Sequence, residues 1–434
     1  MHKSFYFLLF SFLFFISCKP SIKKDLEADN KENKTRTFAN YVFDFTAKDN
    51  QNLQKAYNSY INSFSLEEKI AQLFIKNING NSFYEPNEYF DDGKPVIAGG
   101  YIFFGYNLAA TSQKIIDFTS SVFQYCNNNK YITPFLAIDH EGGSVNRLRI
   151  INAPLESCLN IASTYSVEKA ASIYDLQAKQ LYSLGFNMNL APVAEICTSS
   201  NIDFLGERSF GDKSQVVSYA SACVSSYEKN NVTAVVKHFP GNTNTDPHLG
   251  LPVINLSKEE MFLELESFEK VLKQKPGAVL MSHAIVDSVD KGVPSCLSKV
   301  WVTDILKNKY GYDGLILSDD IFMAALSKNG YDTKTSVIMA INAGIDCIMI
   351  SGKNIKDAVF VLKQKAEEDD VFLQKIEAAF SKIISHKIKN GLLCYSMQSD
   401  GSYIIKNNVS QKSNIERNDD FNLSKQKNLE LYSK

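Results

Sequence analysis

Eight cysteines in 434 residues form no CxxC pair, and with Cys18 at the end of an N-terminal apolar run set aside, the other seven are an odd number. Neither a zinc site nor a disulfide framework is indicated, and the seven read as core residues because several lie inside apolar runs. Histidine is equally sparse, at six. His238, Asp246, His248 and His283 lack a paired-His ligand spacing, so a metal-dependent hydrolase stands only as an alternative that activity in a chelator would dispose of. No charge of one sign dominates: 46 basic against 48 acidic residues leave a formal net charge of −2. That provides no electrostatic footprint for nucleic acid, so partners must be argued from sites. The N-terminal apolar run, Phe5 to Ile16, is too short to span a bilayer comfortably.

That run follows Met1-His2-Lys3 and ends at Ser17-Cys18, the layout of an export signal rather than a fold element. Phe15-Ile16-Ser17-Cys18 looks like a bacterial lipobox, which makes Cys18 the expected lipidation site and the protein a membrane-anchored lipoprotein facing away from the cytoplasm. The chain divides into a signal peptide (1–17), a lipidated tether (18–50), one large folded domain (51–395) and a mostly disordered tail (396–434). The tail is expected to be disordered because Ser, Asn, Lys and Asp dominate it, with Tyr403 to Ile405 as a short docking strand.

Within the large domain, eight short β-rich runs recur: 73–76, 98–104, 135–139, 188–192, 233–238, 278–283, 314–319 and 347–351. Most are separated by enough chain for a helix, as in 170–184 and 259–273. Strands alternating with helices argue for a parallel sheet, and eight such units for a closed (β/α)₈ TIM-type barrel in the α/β class; a doubly wound open sheet is the alternative. Ionisable residues stand where the runs stop: Asp139-His140-Glu141, Glu195, Lys237-His238, His283 and Asp319-Asp320. Charges needed only for solubility would scatter over the outer faces of the helices. Collected at strand ends, they mark one rim as a chemical site. The densest segment is VVKHFPGNTNTDPH, from Val235 to His248, where a strand, two basic groups, a turn and an Asp-x-His pair follow one another.

Five segments together resemble glycoside hydrolase family 3, in its β-N-acetylhexosaminidase branch, over roughly Ser65 to Ile388. They are AIDHEGGSVNRLR (137–149), NMNLAPVAEI (187–196), GERSFGD (206–212), KHFPG with its downstream Asp-x-His, and LILSDDIFM (315–323). The resemblance implies Asp319 as the nucleophile and His248 as acid/base, with Asp246 orienting its ring. It also implies Asp139, Arg147, Arg208, Lys237 and His238 as holders of the N-acetyl sugar, while Glu141 and His283 stay open between direct contact and support. Asp320 fits the N-cap of a following helix. The expected activity is retaining, exo-acting release of terminal N-acetylglucosamine from peptidoglycan fragments or chitin-like oligosaccharides by a monomer without metal or organic cofactor.

One departure stands out. Between KHFPG and Asp246-Pro247-His248 the connection is about two residues shorter than the family pattern, and Pro247 replaces the usual Ser. Proline fixes its own φ and biases Asp246 toward extended geometry. Two further readings therefore stay open: a β-N-acetylglucosaminide phosphorylase, since a His acid/base repels phosphate less than a carboxylate does, and a non-catalytic sugar-binding lipoprotein on the same barrel.

Overall fold

The structure is a computed structural model that describes residues 47–245, 250–409 and 412–433. Eight strands share one sheet: β1 (Phe74–Asn77), β2 (Gly100–Phe103), β3 (Phe135–Ile138), β4 (Met188–Asn189), β5 (Thr233–Phe239), β6 (Ala278–Met281), β7 (Leu315–Leu317) and β8 (Ile348–Ile350). Neighbours in sequence are parallel neighbours in space from β1 to β7, and β8 pairs with β1. The seam between β7 and β8 is the single parallel bridge Leu317–Cys347, backed by the Ser318 N–H donating to the Cys347 carbonyl at 2.9 Å. A (β/α)₈ barrel results, with its strands on the eight runs read from the sequence.

Those runs are almost uninterrupted in apolar character because each strand is covered on both faces, by the barrel interior and by the outer helices. All seven residues of β5 are buried. A capping box opens the helix after Ser65: Ser65 Oγ accepts the Glu68 N–H at 3.2 Å and Glu68 Oε2 accepts the Ser65 N–H at 2.7 Å. That helix is short, Leu66–Ala71, because Phe74 and Ile75 are drawn into the sheet between β2 and β8.

The C-terminal region corrects the sequence reading. Leu393–Met397 and Tyr403–Asn407 form an antiparallel hairpin, so the short strand expected at Tyr403 is real and longer. Asn414–Tyr432 is a 19-residue helix packed along helices Ser112–Asn128 and Val167–Leu184. Its buried residues are Arg417, Phe421, Ser424 and Asn428, a stripe at helical spacing in which only one member is apolar. Composition suggested disorder because this buried face is polar and satisfied by hydrogen bonds. Arg417 donates to the Ser183 carbonyl at 3.1 Å and to Ser120 Oγ at 2.6 Å. Residues 1–46, which include the signal, Cys18 and most of the tether, lie outside the described residues, whereas the helix Ala47–Ile61 begins slightly before the expected domain start. Among the described residues no helix is long and apolar enough to cross a membrane.

Candidate active site

Parallel strands deliver every strand-end residue to the same rim, the carboxyl-terminal face where barrel enzymes place their chemistry. Here the rim carries two buried polar groups and one carboxylate that faces both.

The first group is centred on Glu141, just after β3. Its carboxylate accepts from Arg208 Nε at 2.8 Å and Nη2 at 2.9 Å, and from Lys237 Nζ at 2.6 Å. Lys237, near the end of β5, also reaches Asp139 Oδ1 at 3.0 Å. Arg147 stands further out, with Nη2 3.8 Å from Asp139 Oδ2 and a third of its side chain exposed. Burial raises the Glu141 carboxyl, but the charges of Lys237 and Arg208 outweigh it and hold the group at about 2. Burial likewise opposes the Lys237 charge, yet Asp139 and Glu141 carry its ammonium above the ordinary lysine value. Fixed in these charge states, the cluster is suited to holding a polar ligand rather than moving protons. Lysine has three N–H donors and the guanidinium five, so both cations keep donors beyond their carboxylate contacts.

The second group is His238 with Glu195. His238 Nδ1 lies 2.6 Å from Glu195 Oε1, which also accepts the His238 backbone N–H at 3.2 Å. The peptide bond between Lys237 and His238 is cis. A carboxylate on Nδ1 assigns the ring proton there and leaves Nε2 free for a ligand. Phe204 packs on the His238 ring at 6.1 Å, and the Arg208 guanidinium lies over Phe204 at 5.2 Å, so one aromatic ring joins the two groups. Glu195 also lines a cavity of about 330 Å³ with Asn242, Glu264 and Ser267; neither His238 nor Asp319 lines it.

Asp319 stands two residues past Leu317, the last residue of β7. Burial raises its pKa, but the His283 and His238 rings, the Asp320 N–H at 2.8 Å and Lys237 together bring it below the usual aspartate value. A half-buried carboxylate kept ionised by its neighbours is prepared to act as a nucleophile or an electrostatic partner.

Asp320 does not cap a helix. The next one, Ala324–Lys328, has Met323 at its N-cap without a side-chain bond. Asp320 Oδ1 instead accepts the N–H groups of Phe322 at 3.0 Å and Ser351 at 2.9 Å, tying the ends of β7 and β8 together. His283 Nε2 lies 3.1 Å from the Asp320 carbonyl and Nδ1 3.2 Å from Cys296 Sγ, so this ring supports the loop that carries Asp319.

Of the residues singled out from sequence, Asp139, Arg147, Arg208, Lys237, His238 and Asp319 converge on this rim. Asp246 and His248 lie outside the described residues, as does Cys18. Sequence reasoning left two residues undervalued. Glu141 is the shared partner of Lys237 and Arg208, and Glu195 is the group that orients His238. Their signal was present, since each ends or follows an apolar run, but which cation each would meet depends on the barrel's closure. The seven described cysteines are unpaired, and no group of three or more His, Cys, Asp or Glu among the described residues is arranged to hold a metal.

An eight-stranded barrel with an ionised aspartate beside a cluster of charged donors and acceptors on one rim is an arrangement that suits a glycoside hydrolase. The glycosyl hydrolase family 3 N-terminal domain matches residues 65–386, and the chain belongs to that family. A β-hexosaminidase of Tolumonas auensis is 32% identical over 272 residues, covering 61% of this chain and 78% of its own. Among solved structures, a family 3 β-N-acetylglucosaminidase from Paenibacillus sp. FPU-7 is 26% identical with a TM-score of 0.68, covering 83% of this chain and 69% of that one. A fungal multi-domain β-N-acetylglucosaminidase of the same family is 27% identical with a TM-score of 0.72; the match covers 85% of this chain but only 43% of the fungal one.

Proposed function

We propose that this glycosidase is a retaining, exo-acting β-N-acetylglucosaminidase that removes terminal N-acetylglucosamine from peptidoglycan fragments or chitin-like oligosaccharides. The observation that carries the reading is Asp319, half-buried and held ionised on the same rim as the Lys237–Asp139–Glu141–Arg208 cluster and the Glu195-oriented His238. In the first step an Asp319 oxygen bonds to the anomeric carbon as the glycosidic C–O bond breaks, and His248 gives its proton to the departing oxygen. In the second step water attacks the same carbon, His248 takes the water's proton, and the ester to Asp319 breaks. Asp246 holds the His248 ring in the required tautomer through its other nitrogen. Meanwhile Asp139, Lys237, Arg208 and His238, with Arg147 at the edge, hold the sugar hydroxyls and N-acetyl group. Export and lipid attachment at Cys18 would set the enzyme on a membrane surface, where such glycans are cleaved.

The test is hydrolysis of an aryl β-N-acetylglucosaminide against an aryl β-glucoside. Wild type is expected to prefer the first, and Asp319→Asn to lose at least about 10³-fold in kcat. Full activity in the variant would remove the nucleophile assignment, and preference for the glucoside would remove the N-acetylglucosaminidase reading. Appearance of sugar 1-phosphate in phosphate buffer would point to phosphorolysis.

A further inference from the structure

Two large aromatic side chains stand exposed on the catalytic rim, away from the charged clusters. Tyr106, just past β2, is 61% exposed and Phe322, three residues beyond Asp319, is 43% exposed. Neither is loosely held. The Tyr106 hydroxyl donates to Asn77 Oδ1 at 2.9 Å, and its ring stacks on Phe104 at 5.9 Å. Asn77 is itself fixed by bonds to the Ile102 carbonyl and Asn107 Oδ1, both 3.2 Å. Phe322 is set by the bond from its N–H to Asp320, and its ring lies on Gly352, where a Cβ would overlap it. The Gly352 carbonyl accepts the Asn77 N–H at 3.2 Å. The supports of the two rings therefore form one connected unit across the ends of β1, β2, β7 and β8.

We infer that Tyr106 and Phe322 form the binding position for the sugar of the leaving group, a stacking platform that continues the site past the nucleophile. The inference rests on the glycosidase reading of Asp319. Its geometric basis is the division of the rim. The groups that hold the terminal sugar follow β3, β4 and β5, and Asp319 follows β7. A sugar bound to the first set with its anomeric carbon at Asp319 directs its aglycone toward β8, β1 and β2, where the two rings stand. A pyranose presents a face of C–H groups, which an aromatic face covers without demanding hydrogen bonds. Two rigid rings kept in water on this rim contribute little to the core and suit that ligand.

The experiment is titration calorimetry of N-acetylglucosamine and its β-1,4-linked disaccharide on the full chain carrying Asp319→Asn, which removes turnover. The disaccharide is expected to bind more tightly than the monosaccharide. Adding Phe322→Ala or Tyr106→Ala should weaken the disaccharide about tenfold per ring and leave the monosaccharide within twofold. Tyr106→Phe, which keeps the ring, should retain most of the disaccharide affinity. Three results would overturn the platform: no preference for the disaccharide in the Asp319→Asn protein, unchanged disaccharide binding in both alanine variants, or parallel loss of both ligands. Wild-type turnover of an aryl N-acetylglucosaminide checks the underlying activity independently. Its absence alongside ring-dependent disaccharide binding would reject the hydrolase reading and keep the platform.

Discussion

Replacing Glu141 by Gln keeps the shape of the side chain and removes the one charge shared by Arg208 and Lys237. Glu141 is 3% exposed, so water cannot take its place. Its carboxyl is lowered from an ordinary 4.5 to about 2, which corresponds to roughly 3 kcal/mol of preference for the ionised form in the folded protein. An independent figure comes from breaking a buried pair by removing one partner, about 3–5 kcal/mol. The two agree, and a loss of about 3 kcal/mol is expected at pH 7 by urea unfolding of wild type and Glu141→Gln. The sign with pH follows from the direction of the shift. A carboxyl depressed in the folded state contributes fully above its unfolded value of 4.5 and loses that contribution as pH falls toward about 2. The gap between the two proteins should therefore be constant above about pH 5 and shrink by more than half near pH 3. A gap below about 0.5 kcal/mol at pH 7, or one equally large at pH 3, would refute the idea that the Glu141 charge holds this cluster together.

Two other perturbations probe regions outside the site. Lys387 is fully buried, its ammonium bonded to Gln72 Oε1 at 2.9 Å and lying 5.0 Å from the Phe135 ring centroid; burial lowers its pKa to about 7. The unfolded chain binds the extra proton between about 7 and the ordinary 10.5, so Lys387→Met should stabilise by about 1–4 kcal/mol at pH 6 and by less at pH 10. No gain at pH 6 in denaturant midpoint would contradict that. Arg417→Ala should loosen the C-terminal helix by about 1–3 kcal/mol, seen as faster hydrogen exchange across 414–432 with unchanged exchange in β1 to β8. Uniform exchange gains throughout the barrel would show instead that the helix and barrel unfold together.

Much of this was legible in the chain because it rests on local chemistry. An apolar run followed by turn residues, as at Val235 to Gly241, specifies a strand and its stop, and eight strand runs alternating with helices leave few topologies open. The residues at those stops are therefore legible as one rim from the chain itself. The C-terminal helix was not, since a stripe of Arg417, Phe421, Ser424 and Asn428 looks like solvated chain until the carbonyl of Ser183 and the hydroxyl of Ser120 are placed beneath it.

Sequence alone thus determined the barrel, its eight strands and the set of polar residues on its catalytic face, because hydrophobic period and turn chemistry act within a few residues. Only the tertiary structure decided which of those residues meet. Glu141 pairs with Lys237 and Arg208 across 96 and 67 positions of chain, respectively, His238 takes its proton position from Glu195, and Asp320 ties β7 to β8 instead of capping a helix. Closing the ring sets those distances, and no local rule in the sequence contains them.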